Sequence, residues 1–301
     1  MLRAWSSAAY VVPLPPGHRF PIEKYALLRR AVEADGSAQV EDPPRATRAQ
    51  LHRVHTSTYV DAVLSGTLDP AAQRRLGFPW SPALAERSLR ATGGTIAAAD
   101  AALRDGIAMN LAGGTHHAFA DRGEGFCVFN DVAVAIRDLQ ADGRIGRAAV
   151  VDLDVHQGNG THAVFADDAS VYTFSMHGER NFPFHKVPGT LDIELEDRTG
   201  DEAYLAALAA ALPGVLAAAR PDMVFYLAGA DAHERDRLGR LALTFDGLAR
   251  RDHYVLDSCR AIGIPVCIVI AGGYGTDIHD TVAIHARTAR IARALLATPT
   301  H

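Results

Sequence analysis

Cysteine is scarce in this sequence, with three residues in 301. Cys127, Cys259 and Cys267 form no C-x-x-C pair, which argues against a disulfide scaffold and predicts a reducing, cytoplasmic location. Long apolar runs are missing too: the longest, residues 262–271, is far shorter than the roughly 20 residues of a membrane helix. Positive charge is not in excess, since the formal net charge is −5. We therefore expect neither a membrane nor a nucleic-acid partner.

The composition is that of an ordinary globular protein, with 48% apolar and 22% charged residues. The length suits one large α/β domain or two small ones. Short apolar runs that suit buried strands alternate with helical patterns, which predicts βαβ units and a mainly parallel sheet. The strand-like runs cover 107–112, 148–151, 171–175, 223–228 and 266–271, and the helical patterns cover 128–140, 202–219, 246–260 and 277–296. No break divides the series, so we predict a single domain over residues 1–301.

The rest of the chain is predicted with fewer signals. A first strand is expected over Ala8–Val12, and helices over residues 22–34 and 47–64. Ser81 followed by Pro82 has the pattern of a helix start, a cap and then a first-turn proline. Pro213 is expected to kink or break its helix.

The stretch AAVVDLDVHQGNGTH, residues 148–162, has polar residues at alternate positions after a buried strand. In an extended chain the side chains of Asp152, Asp154 and His156 point to one side. Ligands of open α/β sheets bind at the carboxyl ends of the strands, and carboxylate and imidazole groups are good ligands for zinc or a similar ion. Taken alone, the pattern could equally be a strand end with a capped turn.

Other strand-like runs end in comparable residues. His116-His117 follow one run, Asp231 another and Tyr274 a third. Parallel strands bring their carboxyl ends to one edge, because right-handed crossovers keep them there. Each feature alone has a plainer interpretation: a turn for the histidines, a helix cap for Asp231, packing for Tyr274. Cys127 has no flanking feature that would lower its thiol pKa, so we interpret it as structural.

Together these residues predict metal-assisted hydrolysis of an amide. Asp154, His156 and Asp231 would leave positions open on a bound ion, as hydrolytic zinc sites do. Such an ion lowers the pKa of water and polarises a carbonyl. The histidine pair could take and return a proton, and Tyr274 could donate its hydroxyl to an oxyanion.

Five ordered motifs resemble a known family: LAGGTHHAFADRGEGFCVFND, VVDLDVHQGNGTHAVF, TFSMHGERNFPF, LAGADAHERDRLGRLALT and IAGGYG. They resemble the histone deacetylase superfamily, the zinc-dependent deacetylases of the arginase-like fold. The HQGNG and NFPF segments are most similar to class IV histone deacetylases and their bacterial relatives. The resemblance implies a three-layer α/β/α fold with a central, mainly parallel sheet.

The resemblance also implies roles for individual residues. The zinc ligands would be Asp154, His156 and Asp231. His117 would be the general base, His116 its neighbour near the leaving amine, Tyr274 the oxyanion donor, and Asp152 the carboxylate that orients His116. A potassium ion would be held by Asp152, by the Ser175 hydroxyl and by the backbone carbonyls of Asp154, His156 and Met176.

The same resemblance implies an acyl-lysine tunnel. Phe126 and Phe182 would form its walls, Leu238 would lie near its mouth, and Gly125 and Gly273 would line it through their backbones. Two positions depart from many relatives. Asn159 stands where some branches have an aspartate beside the second histidine, so it orients His117 without adding charge. Thr115 replaces a bulky aromatic at the tunnel floor, which should leave space for an acyl group longer than acetyl.

We therefore predict a zinc-dependent deacylase that acts on acylated lysine in a peptide or protein. Acetylpolyamines and small acylated metabolites remain alternatives. A binuclear manganese ureohydrolase on the same fold is another, but it would need His233 or Asp236 as a further ligand. A non-catalytic acyl-lysine binder is disfavoured because no ligand, base or tyrosine is missing. The sequence does not distinguish zinc from iron(II) and does not predict the oligomeric state.

Overall fold

The computed structural model describes residues 1–297. Its framework is one sheet of eight strands in the order β2-β1-β3-β8-β7-β4-β5-β6, in which every neighbouring pair is parallel. The strands are β1 Arg3–Trp5, β2 Gln39–Glu41, β3 Ile107–Asn110, β4 Ala148–Asp152, β5 Val171–Gly178, β6 Leu191–Leu195, β7 Met223–Leu227 and β8 Val266–Val269. The predicted parallel sheet is confirmed.

Helices cover both faces of this sheet, which makes the three-layer α/β/α architecture. They are α1 Lys24–Ala34, α2 Arg48–Leu51, α3 Ser57–Ser65, α4 Pro70–Leu76, α5 Pro82–Asp105, α6 Asp131–Ala141, α7 Asn159–Phe165, α8 Asp201–Ala219, α9 Phe245–Ala261 and α10 Ile278–Ala297. Successive strand residues point to opposite faces. Val151 of β4 therefore belongs to the apolar cluster that includes residues of α1, α8, α9 and α10, whereas Val150 belongs to the cluster that includes α5 and α6.

Two elements of the N-terminal third differ from the prediction. The first strand is Arg3–Trp5, and Ala8–Val12 is a turn and a bend followed by irregular chain. The single helix expected over residues 47–64 is two helices, because Thr56 is extended and its side chain accepts a hydrogen bond from the Tyr59 amide, which begins α3. Together with α4, these short helices pack through a separate apolar cluster against α5 and α6. Of these three helices, α4 contributes Arg74 and Arg75 to the lining of the cavity described below.

Helix α8 continues through Pro213 without a break, so the predicted break is wrong. It is also the one helix within residues 1–297 that is long and apolar enough to cross a membrane, with a hydropathy of 1.6. The residues at 204, 208, 212, 215 and 216 are buried and form one face, which packs against β4, β5 and α9. The outward face is mostly alanine, which accounts for the hydropathy in a helix of the outer layer.

Candidate active site

The carboxyl ends of β4 and β7 bring three ligating side chains together. Asp154 and His156 follow β4 by two and four residues, and Asp231 follows β7. One ligand atom from each lies within 4.8 Å of the others, and all three residues are buried. The His156 Nδ1 atom lies 2.9 Å from Asp154 Oδ1 and 3.3 Å from Asp231 Oδ2. Within residues 1–297 this is the one cluster of three or more such groups.

The donor set fits a divalent cation. Asp231 Oδ1 accepts a hydrogen bond from the Val155 amide, whereas the buried Oδ2 has no hydrogen-bond partner. A buried carboxylate oxygen without a partner is costly, and a metal ion would satisfy it. Gly272 leaves the site open, since a Cβ atom there would lie 1.8 Å from Asp231 Oδ2. The chain thus keeps a glycine where its backbone passes over the ligands.

Electrostatics describe the same excess of negative charge. Burial, followed by the charge of Asp154, raises the pKa of Asp231 to about 7. Burial would lower the pKa of His156, but the hydrogen bond to Asp154 and the charges of Asp154 and Asp231 outweigh it and raise the pKa to about 10. Two buried carboxylates are therefore balanced by only one imidazole. A bound cation would stabilise this arrangement of charges.

The histidine pair lies beside this cluster in a loop after β3. His116 Nδ1 lies 2.6 Å from Asp152 Oδ2, and His117 Nδ1 lies 2.7 Å from Asn159 Oδ1. The two imidazole rings are 4.1 Å apart, and the ring of His117 is 5.9 Å from that of His156. Each histidine is thereby oriented through Nδ1, which leaves Nε2 of both rings for chemistry.

The two histidines differ in basicity. Burial would lower the pKa of His116, but the charges of Asp152 and Asp154 outweigh it and raise the pKa to about 9. Burial and the neighbouring charges of His116 and His156 lower the pKa of His117 well below its usual value. A proton on the pair therefore resides on His116, and His117 remains neutral. The amide of Asn159 supplies orientation to His117 without the charge that Asp152 gives to His116.

A single aspartate shapes the loop that carries the histidines. Asp131 begins α6 and accepts hydrogen bonds from the amides of Gly114 and Thr115, at 3.1 and 2.8 Å, and from the Thr115 hydroxyl. Gly113 and Gly114 have φ of +78° and +75°. A Cβ atom on Gly113 would lie 2.3 Å from Asp131 Oδ2. The two glycines are therefore required by this tight turn.

Tyr274 faces the ligands from the loop after β8. Its ring is 6.5 Å from the ring of His156. Burial, followed by the charges of Asp154 and Asp231, raises its pKa well above the usual value, so the hydroxyl stays protonated and can donate. Asp236 positions this loop because its Oδ2 accepts the Tyr274 amide at 2.6 Å.

Asp154, His156, the histidine pair and Tyr274 line a cavity of about 1010 Å³. It runs from Phe182, Phe184 and Leu238 at the surface, past the ligands, to Tyr25 and Thr92 inside the protein. Of the expected tunnel residues, the lining includes Thr115, Gly125, Phe126, Phe182 and Leu238. Phe126 packs against Tyr274, with ring centres 6.0 Å apart, and Phe182 packs against His117 at 4.8 Å.

Gly273 is not among the residues that line the cavity, although its neighbours Gly272 and Tyr274 are. Its carbonyl instead accepts a hydrogen bond from Lys24 Nζ at 3.3 Å. The chain needs a glycine here for a different reason: φ is +154°, and a Cβ atom would lie 2.6 Å from the Thr281 side chain.

Two of the residues expected to hold potassium lie on β5, the strand that neighbours Asp152. Ser175 and Met176 belong to β5, and Ser175 pairs in register with Asp152 of β4. Both are fully buried. The Ser175 hydroxyl is 2.9 Å from His177 Nδ1, and the carboxylate Oδ1 of Asp152 accepts the Asp154 amide.

Sequence reasoning missed three residues that touch the site from the N-terminal half. Glu124 accepts a hydrogen bond from Asn159 Nδ2 at 2.7 Å, so the carboxylate of Glu124 is connected to His117 through the amide of Asn159. Lys24 is buried, and its ammonium lies 5.4 Å from the centre of the Tyr274 ring. His55 forms hydrogen bonds with the backbone of Phe119 and of Asn130, and thereby connects two parts of the loop that follows the histidine pair. None of these three residues has a recognisable local sequence signal. Their neighbours Asn130 and Asp131 do have one, because Asn130 caps the start of α6.

Comparisons with known proteins agree with this geometry. A family model described as the histone deacetylase domain matches residues 18–289. Histone deacetylase 2 of Arabidopsis thaliana is 31% identical over 85% of this chain and 70% of its own, and the acetoin utilization protein AcuC of Bacillus subtilis is 33% identical over 85% and 71%. An uncharacterised protein of Picosynechococcus is 50% identical over 94% of this chain and 96% of its own.

A solved structure shares the fold. The crystal structure of a histone deacetylase homologue complexed with SAHA superimposes with a TM-score of 0.85 and 26% identity, covering 99% of this chain and 84% of that one. Fold and site define a hydrolase with an arginase/deacetylase-type architecture. The chain belongs to the histone deacetylase family.

The site gives no support to the binuclear ureohydrolase. Asp236 Oδ1 accepts the amides of Leu238 and Gly239, and its Oδ2 accepts that of Tyr274, so this carboxylate is used by the backbone. His233 packs against the ring of Phe245 at 4.6 Å. Neither belongs to the ligand cluster of Asp154.

Proposed function

We propose that this chain is a zinc-dependent deacylase that hydrolyses the amide of an acylated lysine. The observation that carries the proposal is the buried cluster of Asp154, His156 and Asp231 at a cavity that His117 and Tyr274 also line. Membership of the histone deacetylase family supports the same reaction. Bound at these three ligands, zinc would supply a Lewis acid that lowers the pKa of water and polarises the acyl carbonyl.

The side chains divide the remaining work. His117, neutral and oriented by Asn159, accepts a proton from the attacking water at Nε2. His116, held in its charged form by Asp152, keeps positive charge near the departing amine and assists its protonation. Tyr274 donates its hydroxyl to the developing oxyanion. Phe126 and Phe182 exclude water from the alkyl chain of the lysine.

Potassium, acyl length and location extend this proposal. We assign potassium to Asp152, Ser175 and the carbonyls of Asp154, His156 and Met176, on the basis of their shared burial and the family resemblance. An acyl group longer than acetyl is supported by the small Thr115 in the cavity lining, which the family resemblance assigns to the tunnel floor, and by the cavity volume of about 1010 Å³. Each buried methylene contributes about 0.8 kcal/mol.

A cytoplasmic location is supported by the three unpaired cysteines, all of which are buried.

The experiment is a comparison of kcat/KM for acetyl, butyryl, octanoyl and myristoyl lysine in one peptide, with zinc content measured on the same sample. We expect hydrolysis with one zinc per chain, and a preference for the longer acyl groups. Thr115→Trp should shift the preference towards acetyl. Two equivalents of manganese and release of urea from guanidino substrates would contradict the proposal.

Tyr274→Phe tests the mechanism in the same assay. Loss of one oxyanion donor lowers kcat by about 10²–10³-fold. Zinc content and KM should change little, because the hydroxyl acts mainly in the transition state. Near-normal turnover would show that Tyr274 only packs.

A further inference from the structure

The mouth of the cavity is surrounded by arginine. Six arginines line it, and they come from four separate segments of the chain: Arg19, Arg74, Arg75, Arg180, Arg237 and Arg240. All six are exposed. We refer to these six residues as the arginine rim.

Contacts with the tunnel walls fix three of these four segments. The Arg75 carbonyl accepts the amide of Gly125, next to Phe126, at 3.2 Å. Arg237 Nε donates to the carbonyl of Tyr274 at 3.0 Å. Asn181, beside Arg180, donates to the carbonyl of Leu238 at 2.7 Å and accepts the amide of Arg240. The rim therefore surrounds the entrance through which any acyl chain must pass.

Negative charge does not balance this rim. Arg180 and Arg240 share one carboxylate, that of Asp197, at 3.8 and 3.0 Å. Apart from the metal ligand Asp154, the one acidic residue lining the described cavity is Glu124, and it already accepts the Asn159 amide. Positive charge is thus concentrated at one opening of a chain whose net charge is −5. Such a local field attracts anionic partners and repels cationic ones.

We propose that the acylated lysine this site takes lies in an acidic protein segment, with Asp or Glu on both sides of the lysine. This inference rests on the proposed deacylase function and specifies its substrate class. Because the cations come from four segments, carboxylates before and after the lysine would each meet an arginine. Phe184, which is 82% exposed beside the same entrance, adds an apolar surface for the peptide. Acetylpolyamines and lysine-rich tails carry the wrong charge for this rim.

The test uses three acyl-lysine peptides that differ only in four flanking residues, all Glu, all Gln or all Lys. We expect kcat/KM to fall in that order, by about tenfold from Glu to Lys at low ionic strength. The spread should narrow to about twofold near 0.5 M salt, where the Debye length is only a few ångströms. An acetylpolyamine should be a poorer substrate than the Gln peptide.

Two triple variants assign the effect to the rim. Arg19→Gln with Arg74→Gln and Arg75→Gln should bring the Glu-to-Lys ratio close to one. The control, Arg30→Gln with Arg104→Gln and Arg290→Gln, changes the net charge equally at exposed positions outside the cavity, and should keep the ratio. Equal kcat/KM for the three peptides, a preference for Lys, or the same change in both triple variants would overturn the inference.

Calorimetric binding of the same peptides separates the two levels of the proposal. Binding ordered by charge without any hydrolysis would retain the substrate class and contradict the deacylase function. Hydrolysis of all three peptides with no order in binding or rate would retain the function and contradict the substrate class.

Discussion

Two groups of buried charge lie near the same strands, and they are completed in opposite ways. One is the ligand cluster at the carboxyl ends of β4 and β7, with Asp154, His156 and Asp231. The other lies where α9 and α10 pack against β7. There Asp252 Oδ1 accepts the Tyr226 hydroxyl at 2.6 Å and Arg251 at 2.8 Å, and Oδ2 accepts the Thr288 hydroxyl at 2.5 Å.

Arg251 connects the second group to the first. Its Nη1 donates to the carbonyl of Gly229 at 2.7 Å and to that of Leu153 at 3.2 Å. Leu153 precedes Asp154, and Gly229 is two residues before Asp231. The guanidinium therefore holds the backbone on which two of the ligands stand. Burial would lower the pKa of Arg251, but the charge of Asp252 outweighs it and raises the pKa, so the guanidinium stays charged.

The difference separates a structural group from a functional one. In the Arg251–Asp252 group, one cation meets one carboxylate, and both oxygens of that carboxylate accept hydrogen bonds. In the ligand cluster, two carboxylates share one imidazole, and Asp231 Oδ2 has no hydrogen-bond partner. Such a local conflict persists where function requires it. Removing a carboxylate should therefore have opposite effects on stability in the two places.

The largest effect is expected at the ligand cluster. Asp154→Ala or Asp231→Ala should abolish both zinc binding and hydrolysis, measured by elemental analysis and by activity. Asp231→Asn should also remove zinc, yet raise the free energy of unfolding of the metal-free protein at pH 7, because it removes one of two neighbouring buried carboxylates. A less stable metal-free Asp231→Asn protein would show that the cluster is balanced without a cation.

In the Arg251–Asp252 group, an aspartate-to-asparagine substitution should lower the free energy of unfolding. Asp252→Asn leaves the buried guanidinium of Arg251 without its counter-charge, which costs about 3–5 kcal/mol of stability. Urea unfolding of the metal-free protein measures this loss. Zinc content of the folded fraction should remain near one per chain. An unchanged unfolding midpoint would contradict the comparison.

A smaller effect is expected at Glu124, which stands behind Asn159 and His117. Glu124→Gln should lower kcat by about tenfold, because Asn159 loses a charged hydrogen-bond partner and orients His117 less well. Asn159→Asp would place two carboxylates in contact and should be worse in wild type than in Glu124→Gln. Glu234→Gln, an exposed control whose side chain lies outside the cavity, should not change kcat. Additive losses in the double variant would mean that Glu124 does not act through Asn159.

The sequence predicted the parallel sheet because its central strands are short, fully apolar runs that end in glycine and polar residues. It predicted the grouping of Asp154, His156, Asp231 and the histidines because parallel strands share one edge. The strand Arg3–Trp5, second in the sheet, and the split between α2 and α3 were not predictable, since three-residue strands and four-residue helices carry little periodicity. Glu124 and Arg251 were missed for another reason: their partners are 35 and 98 residues away, and no local pattern reports such contacts.

An effect confined to acidic pH concerns a buried histidine that is satisfied in its neutral form. His55 Nδ1 donates to the carbonyl of Phe119 at 2.9 Å, and Nε2 accepts the amide of Asn130 at 3.0 Å. Burial lowers its pKa from 6.5 to about 4. The unfolded chain therefore binds a proton below pH 6.5 that the folded protein refuses until about pH 4. The stability that His55 contributes is fully present above pH 6.5 and is lost as the pH falls to about 4, by at most about 3 kcal/mol.

His55→Gln tests this dependence. The variant should be less stable than wild type at pH 7, and the gap in the free energy of unfolding should close as the pH falls towards 4.5. His52→Gln, at an exposed position three residues earlier, should follow the wild-type curve throughout. If the His55→Gln and wild-type curves run parallel, protonation of His55 does not break its bond to Asn130. His55 would then differ from the Arg251–Asp252 group, in which the stability of the fold depends on the hydrogen-bond partner of each buried polar atom.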